Sequence, residues 1–231
     1  MKHRLVCVNL GSESAKLLSQ ALTNTADYKV FRSRLPRAGR NNIIYGDQRD
    51  KLTQYKYFLE NKLNFPKFTE SKEEAIAMCS PKTPVVCRTM LRARAGKGIV
   101  IADSPKQIVD AAVYVAYHKK TTEYRVNLYK GKVVCVREKR LRAGYERPEG
   151  QDYRVRSHDN GYVFCEPLVP ISDEAIAMCV KASAITKSDI VGVDLAYHKT
   201  SDYYFLLEVN SAPGMQGDTI DRYVKAIINK E

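Results

Sequence analysis

The first 80 residues alternate between short apolar runs and longer segments whose apolar residues recur every three or four positions. RLVCV and NNIIY have the length and composition of buried strands. Ser12 or Ser14 is placed to cap the first periodic segment, and Thr69 or Ser71 is placed to cap the last. The spacing predicts helices over residues 12–22, 49–63 and 69–79.

From about Pro84 the pattern changes, and alternating or continuous apolar runs predict mostly strands. PVVCR and GIVIA flank a Gly-containing segment, and a helix is predicted near residues 105–118. Two hairpins follow, one turning at Lys130-Gly131 and the other at residues 199–202. The polar segment 142–164 between them predicts a long loop or a pair of edge segments. Helices are predicted over 172–186 and 217–230, the latter capped by Asp218 or Thr219.

Composition limits the class of protein. The 231 residues are 44% hydrophobic, which is enough for one large domain or two small ones with a real core. We expect no membrane span and no signal peptide, because the longest apolar runs are too short for either. The six cysteines are scattered singly without a CxxC pair, so they are expected to be reduced core residues of a cytoplasmic protein.

The chain has a formal net charge of +12 and a pI near 9.4. This excess favours an anionic partner such as a nucleic acid, a nucleotide or an acidic peptide. A basic but otherwise unremarkable soluble surface has the same composition, and charge alone does not separate these alternatives.

Oxygen-bearing side chains follow an apolar run near the end of the chain, in FLLEVNSAPG. Glu208 and Asn210 are two residues apart on a strand and therefore point to one face. Asp194 lies on the other arm of the same predicted hairpin, where it can sit beside Glu208. Two carboxylates and an amide oxygen predict a site for Mg²⁺.

A second candidate site is the stretch RARAGKGIVIA, which places Gly96, Lys97 and Gly98 between two strands. Glycines there allow backbone N–H groups to approach phosphates, so the segment predicts a flap over a nucleotide. It does not fit a P-loop, because Lys97 is followed by glycine and no helix follows. An ordinary Gly-rich hairpin turn is the alternative.

In combination these motifs resemble the ATP-grasp superfamily. The resemblance is carried, in order, by Arg88, the Gly-rich flap, EYRVNLYKGKVV, VRSHDNGYVF, VGVDL and LLEVNSAPG. It is closest to the carboxylate–amine ligases of the ribosomal-protein glutamylating kind and to similar phage-encoded proteins. The resemblance implies an α/β (α+β) fold in which two lobes sandwich ATP. It implies an N-terminal α/β domain over 1–66, a central lobe with the flap over 67–118, and a C-terminal lobe with the metal site over 119–231.

The resemblance also assigns roles to individual residues. The metal ligands would be Asp194, Glu208 and Asn210, holding Mg²⁺ or possibly Mn²⁺. Nucleotide-side positions would be Lys51, Arg88, Gly96, Lys97, Gly98, Ala116, Tyr117, His118, Glu123, Ser157 and His158. The groups nearest the reaction would be Arg125, Lys139 and Arg156. Arg88 replaces the usual lysine, Ala116 replaces a frequent acid, and His158 replaces an amide.

The implied activity is an ATP-dependent ligase that forms an amide or peptide bond through an acyl phosphate, releasing ADP and phosphate. Its partners would be ATP, a carboxylate and an amine, one of them possibly anionic, such as an acidic peptide or a nucleic acid. The location would be the cytoplasm, or the host cytoplasm for a phage-encoded protein. Two alternatives stay open: a basic nucleic-acid-binding protein with interleaved tyrosines, and an ATP-grasp nucleotide binder without ligase activity.

Overall fold

The computed structural model describes residues 2–7, 9–25, 29–36, 38, 41–47, 49–92, 97–215 and 217–229. Three β-sheets carry the fold, and helices pack against them. The described cysteines are all free, and five of the six are buried, as the sequence predicted for core residues.

The N-terminal sheet has three parallel strands in the order β2-β1-β3. They are β1 (Lys2–Cys7), β2 (Lys29–Ser33) and β3 (Asn41–Tyr45), and helix α1 (Glu13–Thr23) follows β1. Ser12 caps α1 by accepting from the Ala15 N–H at 3.4 Å. The sequence did not predict β2, because this edge strand is short and exposes Phe31, so the apolar pattern is weak.

The second sheet, called here the four-stranded sheet, is antiparallel with the order β4-β7-β5-β6. Its strands are β4 (Phe68–Thr69), β5 (Val85–Arg88), β6 (Ile99–Ala102) and β7 (Val113–Ala116). Helix α3 (Lys72–Met78) is capped by Ser71, and its Ala75 packs against this sheet.

The prediction of a helix near residues 105–118 is wrong. The chain makes one 3-10 turn at Pro105–Gln107 and then forms β7 between β4 and β5. Val113, Tyr114 and Val115 are all buried, because this strand has neighbours on both edges and is covered on both faces. A continuous apolar run of this kind cannot be distinguished from a buried helix by its period alone.

The third sheet, called here the five-stranded sheet, is antiparallel with the order β10-β9-β8-β11-β12. The two predicted hairpins are both present, as β8 (Thr122–Tyr129) with β9 (Lys132–Leu141) and β11 (Ile190–His198) with β12 (Tyr203–Asn210). The segment 142–161 is a loop, and it leads into the edge strand β10 (Tyr162–Cys165). Helix α4 (Asp173–Ser183) is capped by Ser172.

The last helix, α5 (Asp218–Ile228), does not begin with the predicted cap. Gly217 stands at the cap position with φ 55°, and neither Asp218 nor Thr219 caps the helix. The Asp218 carboxylate instead pairs with Arg137 at 2.6 Å and with Arg222 at 3.0 Å. The competing guanidinium groups explain why this acid serves as an ion-pair partner rather than as a cap.

Helix α2 (Lys51–Glu60) joins the two larger sheets. Its Tyr55 and Phe58 belong to one hydrophobic cluster with Val113 of the four-stranded sheet and Leu195 of the five-stranded sheet. The three sheets fall inside the predicted ranges 1–66, 67–118 and 119–231, but their division into separate domains stays a prediction. In the part of the chain that the structure describes, no helix combines the length and apolar character needed to cross a lipid bilayer.

Candidate active site

A cavity of about 750 Å³ opens between the four-stranded and five-stranded sheets. Val86, Ile99 and Val115 line it from the four-stranded sheet, and they supply an apolar wall. The opposite wall is the face of the five-stranded sheet that carries charged side chains, because the two-residue period of its strands turns the apolar side chains to the core on the other face. One wall is therefore suited to a flat apolar group and the other to charged groups.

The hairpin β11–β12 brings the three predicted metal ligands together. Asp194 stands directly opposite Glu208 in the antiparallel register. The Asn210 amide nitrogen lies 2.9 Å from Glu208 Oε1 and 3.4 Å from Asp194 Oδ2. All three side chains line the cavity, so the convergence predicted from the sequence is observed.

Each of these carboxylates has a buried cationic partner. Arg125 donates from Nε to Asp194 Oδ1 at 2.6 Å and from a terminal nitrogen to Oδ2 at 2.9 Å. Lys51, the first residue of α2, donates to Glu208 Oε2. Burial alone would raise the pKa of Glu208, but the charge and hydrogen bond of Lys51 outweigh burial and hold that pKa well below its usual value.

This donor set fits a hard divalent cation. Two carboxylates and an amide offer the oxygen ligands that Mg²⁺ prefers, with positions left for phosphate oxygens and water. The Asn210 amide donates in the arrangement seen, and a turn of the amide group presents its oxygen instead. No group of three or more His, Cys, Asp and Glu suited to a metal occurs among the described residues, so a site of this kind depends on the asparagine.

The Glu123 carboxylate pairs with two lysines, whereas Asp194 and Glu208 each pair with one cation. Lys139 donates to Oε2 at 2.8 Å from the neighbouring strand, and Lys120 pairs with Oε1 at 2.6 Å. Burial would raise the pKa of Glu123, but the charges of Lys139 and Lys120 outweigh it and bring the pKa to about 2. Burial lowers the pKa of Lys120 in spite of the pairing with Glu123. The sequence did not predict a role for Lys120.

An aromatic ring supports the two central cations. The Arg125 guanidinium lies 4.4 Å from the centre of the Phe164 ring, and the Lys139 ammonium lies 5.5 Å from it. Phe164 belongs to the edge strand β10, where it stands opposite Lys139 in register. Cation–π contacts of this geometry restrict where both cations can point.

The four-stranded sheet contributes Arg88 and the flap. Arg88 lines the cavity, its guanidinium lies 5.9 Å from the Tyr55 ring, and its Nε is buried without a hydrogen-bond partner among the described residues. Lys97 also lines the cavity, and Gly98 has φ 70° with a close approach to Thr89 and Met90. Gly96 lies outside the described residues.

Ala116, Tyr117 and His118, three of the predicted nucleotide-side positions, line the cavity where β7 ends. The N–H of Ala116 donates to Lys67 O and that of Tyr117 to Pro84 O, both at 2.8 Å. These two donors are therefore engaged by the protein, and backbone recognition at this place would rely on carbonyl oxygens or on the His118 N–H. The His118 ring is fixed by the Tyr203 hydroxyl, 3.0 Å from Nδ1.

The loop 142–161 brings Arg156, Ser157 and His158 to the cavity, as the sequence predicted. Arg156 donates to the carbonyls of Lys120 and Thr121 at 3.1 and 3.2 Å, so it also ties the loop to the start of β8. Ser157 is buried, and its Oγ accepts from the Asn160 N–H within the loop. His158 is exposed at the rim.

Arg154, which the sequence did not assign to the cavity, links the loop to the four-stranded sheet. Its guanidinium forms two hydrogen bonds to Asp103 at 2.5 and 3.0 Å and further ones to Asp152 in the loop itself. It also lies 5.6 Å from the centre of the Tyr117 ring. The bonds to both carboxylates raise the pKa of Arg154, which keeps the link charged.

Residues 48–231 match the model of the RimK-like ATP-grasp domain. The chain belongs to this family. No curated protein matches the chain by sequence. The family match covers most of the chain and includes every candidate site residue, so the chain carries an ATP-grasp domain with the α/β fold that the motifs predicted.

Solved structures of ATP-grasp ligases share the fold. PsnB with a minimal precursor has a TM-score of 0.68 at 13% identity, over 100% of this chain and 99% of that one. A D-alanine–D-alanine ligase from Bacillus anthracis has a TM-score of 0.62 at 13% identity, over 99% and 98%. An N5-carboxyaminoimidazole ribonucleotide synthetase from Thermotoga maritima has a TM-score of 0.59 at 13% identity, over 99% and 76%.

Sequence reasoning missed Lys120, Arg154 and Phe164 in this ATP-grasp cavity. Lys120 is the second lysine of AYHKK, where adjacent lysines usually indicate a solvated turn. Arg154 lies within the long loop 142–161 and Phe164 follows it, and their partners Asp103 and Lys139 are distant in sequence. The one sequence signal for a cavity contact was Phe164 itself, because it is an aromatic residue two positions after Tyr162 on a short strand.

Proposed function

We propose that this protein is an ATP-dependent carboxylate–amine ligase that forms an amide or peptide bond. The observation that supports the proposal best is the composition of the two cavity walls. Asp194, Glu208 and Asn210 converge on one wall, and Arg88 and Lys97 stand on the other. A nucleotide triphosphate needs such a combination, because its phosphates require both a divalent cation and fixed positive side chains.

In this proposal Asp194, Glu208 and Asn210 would hold Mg²⁺, which supplies charge neutralisation for the phosphates when it is bound. A structure of PsnB, to which this chain is similar in fold, holds Mg and ADP. Arg88, Lys51 and Lys97 would contact the phosphates, and the apolar wall around Val115 would cover the base. Ala116, Tyr117 and His118 would face the edge of the base, and the rim residues Ser157 and His158 would lie on the nucleotide side.

The chemistry proceeds in two displacements. An oxygen of the substrate carboxylate attacks the γ-phosphorus of ATP, the bond to ADP breaks, and an acyl phosphate forms. The amine nitrogen then attacks the acyl carbon, phosphate leaves, and the amine gives up one proton. Arg125, Lys139 and Arg156 would offset the negative charge that shifts between these groups. No side chain is needed as a nucleophile.

The test is ADP and phosphate release from ATP and Mg²⁺ over a panel of amino acids, short peptides and dicarboxylates. The proposal expects release that depends on both a carboxylate and an amine, with a condensed product seen by mass spectrometry. Asn210→Ala, which removes one proposed metal ligand and leaves the Arg125–Asp194 and Lys51–Glu208 pairs intact, should sharply reduce release without loss of folding. ATP binding without any product over the whole panel would favour the alternative of a nucleotide binder without ligase activity, and absence of ATP binding would refute the proposal.

The distribution of charge along the chain indicates which region would attract an anionic substrate. Several cations of segment 137–156 have carboxylate partners within the protein: Arg137 pairs with Asp218, and Arg154 pairs with Asp103 and Asp152. Residues 119–231 carry eighteen Lys and Arg against sixteen Asp and Glu, whereas residues 1–66 carry twelve against five. We therefore propose that any long-range attraction of an acidic peptide or a nucleic acid comes from residues 1–66.

A charge-reversal comparison tests this placement. Arg32→Glu with Arg34→Glu should raise the KM for an acidic substrate and weaken its dependence on salt, because exposed charges act through a screened field. Arg140→Glu with Arg142→Glu is the matched pair in the five-stranded sheet region and should change KM less. The opposite order would place the attraction in segment 137–156, and no salt dependence at all would indicate a small, nearly neutral substrate.

A further inference from the structure

We propose that Glu123 is a positioning residue, which holds the ammonium groups of Lys120 and Lys139 beside the nucleotide phosphates and does not bind the ribose. The inference rests on the proposed function, since it assumes that ATP occupies the cavity. The family resemblance assigned this acid only to the nucleotide side, and the inference gives it a specific role there, because the structure shows which partners the carboxylate has.

Both oxygens of the Glu123 carboxylate are already engaged. Lys120 Nζ lies 2.6 Å from Oε1, and Lys139 Nζ lies 2.8 Å from Oε2. The Glu123 side chain is only 4% exposed. A ribose hydroxyl would therefore have to displace one ammonium group from a buried carboxylate, and a neutral hydroxyl is a weaker partner than a cation for a buried acid.

The three side chains together carry one positive charge in excess. Both lysines line the cavity, and their side chains are 12% and 14% exposed. Two ammonium groups that share one carboxylate in a poorly solvated place favour an added anion, because burial penalises charge that lacks a counter-ion. The lowered pKa of Lys120, caused first by burial, agrees with a lysine whose charge is only partly compensated.

The register places this cluster next to the convergence of carboxylates. Glu123 stands opposite Lys139, and Arg125, two residues further along β8, stands opposite Asp194. Two residues along an antiparallel strand span about 7 Å. Lys139 on β9 and Asp194 on β11 therefore flank β8 two residues apart in register, and both line the cavity in which the phosphates of a nucleotide would lie.

The test is calorimetric binding of ATP, 2′-deoxy-ATP and 3′-deoxy-ATP in the presence of Mg²⁺. Wild-type protein should bind the three triphosphates within about threefold of one another, because no ribose hydroxyl contacts the acid. Glu123→Gln and Lys139→Met should each weaken all three by about tenfold or more, the value of a charge-assisted contact. Lys119→Met removes an exposed lysine beside Lys120 and should change none of the affinities.

The double variant separates positioning from direct contact. If Glu123 acts through the lysines, Glu123→Gln should add little once Lys139 is methionine, because residues that act as a unit are not additive. The inference is overturned if removing a ribose hydroxyl weakens nucleotide binding to wild type tenfold and Glu123→Gln erases that difference. It is also overturned if the effects of Glu123→Gln and Lys139→Met on ATP affinity are fully additive. Should Glu123→Gln fail to fold, the ribose series on wild type still decides, and the proposed function itself fails only if wild type binds no ATP.

Discussion

The two walls of the cavity differ in whether their positive side chains have carboxylate partners in the protein. On the five-stranded sheet each central cation has a carboxylate partner, as Arg125 has Asp194 and Lys139 has Glu123. On the four-stranded sheet the buried Nε of Arg88 has no hydrogen-bond partner among the described residues, and Lys97 lies on the exposed flap. The cations of the first wall are held in place by carboxylates of the protein, and the second wall presents Arg88 and Lys97 to whatever enters.

The difference follows from what each wall must do before a ligand arrives. Charges in the middle of a five-stranded sheet are buried by folding itself, and a buried ion without a partner costs several kcal/mol. The carboxylates therefore fix the cations of that wall in place in the free protein. Charges at the margin of the smaller sheet keep some contact with solvent, so they need no protein counter-charge before the phosphates bind. The predictions below test this division, beginning with the largest effect.

Arg125→Met should give the largest loss of stability, because Asp194 would be left buried without a counter-charge. We expect the free energy of unfolding to fall by about 3–5 kcal/mol, measured by chemical denaturation. Arg125→Met combined with Asp194→Leu should recover most of that loss. Lys72→Met, which breaks the exposed pair with Asp110, is the control and should leave the unfolding midpoint unchanged. A single variant as stable as wild type would contradict the comparison.

Low pH should destabilise the folded protein at the same wall, because Glu123 becomes protonated there. Its folded pKa of about 2 lies below the ordinary 4.5, so the unfolded chain binds the proton more readily, and the stabilisation present above pH 4.5 is lost as the pH falls towards 2. Between pH 5 and pH 3 wild type should lose about 2 kcal/mol more than Glu123→Gln, which has no titratable group there. Equal losses in the two proteins would show that Glu123 is not held by its lysines.

Arg88→Met addresses the other wall and should act on ligand binding more than on folding. Loss of charge-assisted hydrogen bonds to phosphate should weaken ATP about 10- to 100-fold, measured by calorimetry. The unfolding midpoint without ATP should fall less than that of Arg125→Met, since the Nε of Arg88 has no hydrogen-bond partner among the described residues and the guanidinium loses only its contact with the Tyr55 ring and its attraction to Glu208. Lys82→Met, an exposed lysine of the same region, should leave ATP affinity unchanged. A stability loss as large as that of Arg125→Met would remove the distinction between the walls.

Arg154→Met should produce the smallest effect, which is local. Arg154 ties loop 142–161 to Asp103 of the opposite wall, and Asp103 and Asp152 are partly exposed, so the link is worth about 1–2 kcal/mol. Limited proteolysis should cut this loop several-fold to about tenfold faster in the variant, with global stability nearly retained. Arg142→Met, whose guanidinium lies over Tyr145 in the same loop, is the control. Unchanged cleavage would show that the loop is held by other contacts.

Much of the fold could be predicted because its strongest local patterns agree with the tertiary structure. The hairpins β8–β9 and β11–β12 carry clear two-residue periods and short turns, and helices α1, α2 and α4 begin at capping side chains close to the predicted ends. The failures, β2 and β7, are a weakly patterned edge strand and a fully buried strand, where the period carries little information.

The sequence by itself determined that Glu208 and Asn210 share a face, because side chains alternate along a strand, and that Asp194 lies on the adjacent arm of the hairpin. The register shift between Asp194 and Leu195 sets Asp194 opposite Glu208, since an unbroken register from the turn would place it opposite Leu207. Only the tertiary structure decided which charges meet across separate elements. Lys51 reaches Glu208 from a helix 157 residues away in sequence, and Arg154 reaches Asp103 across the cavity. Such pairings depend on how the sheets pack on one another, and no local period along the chain encodes that packing.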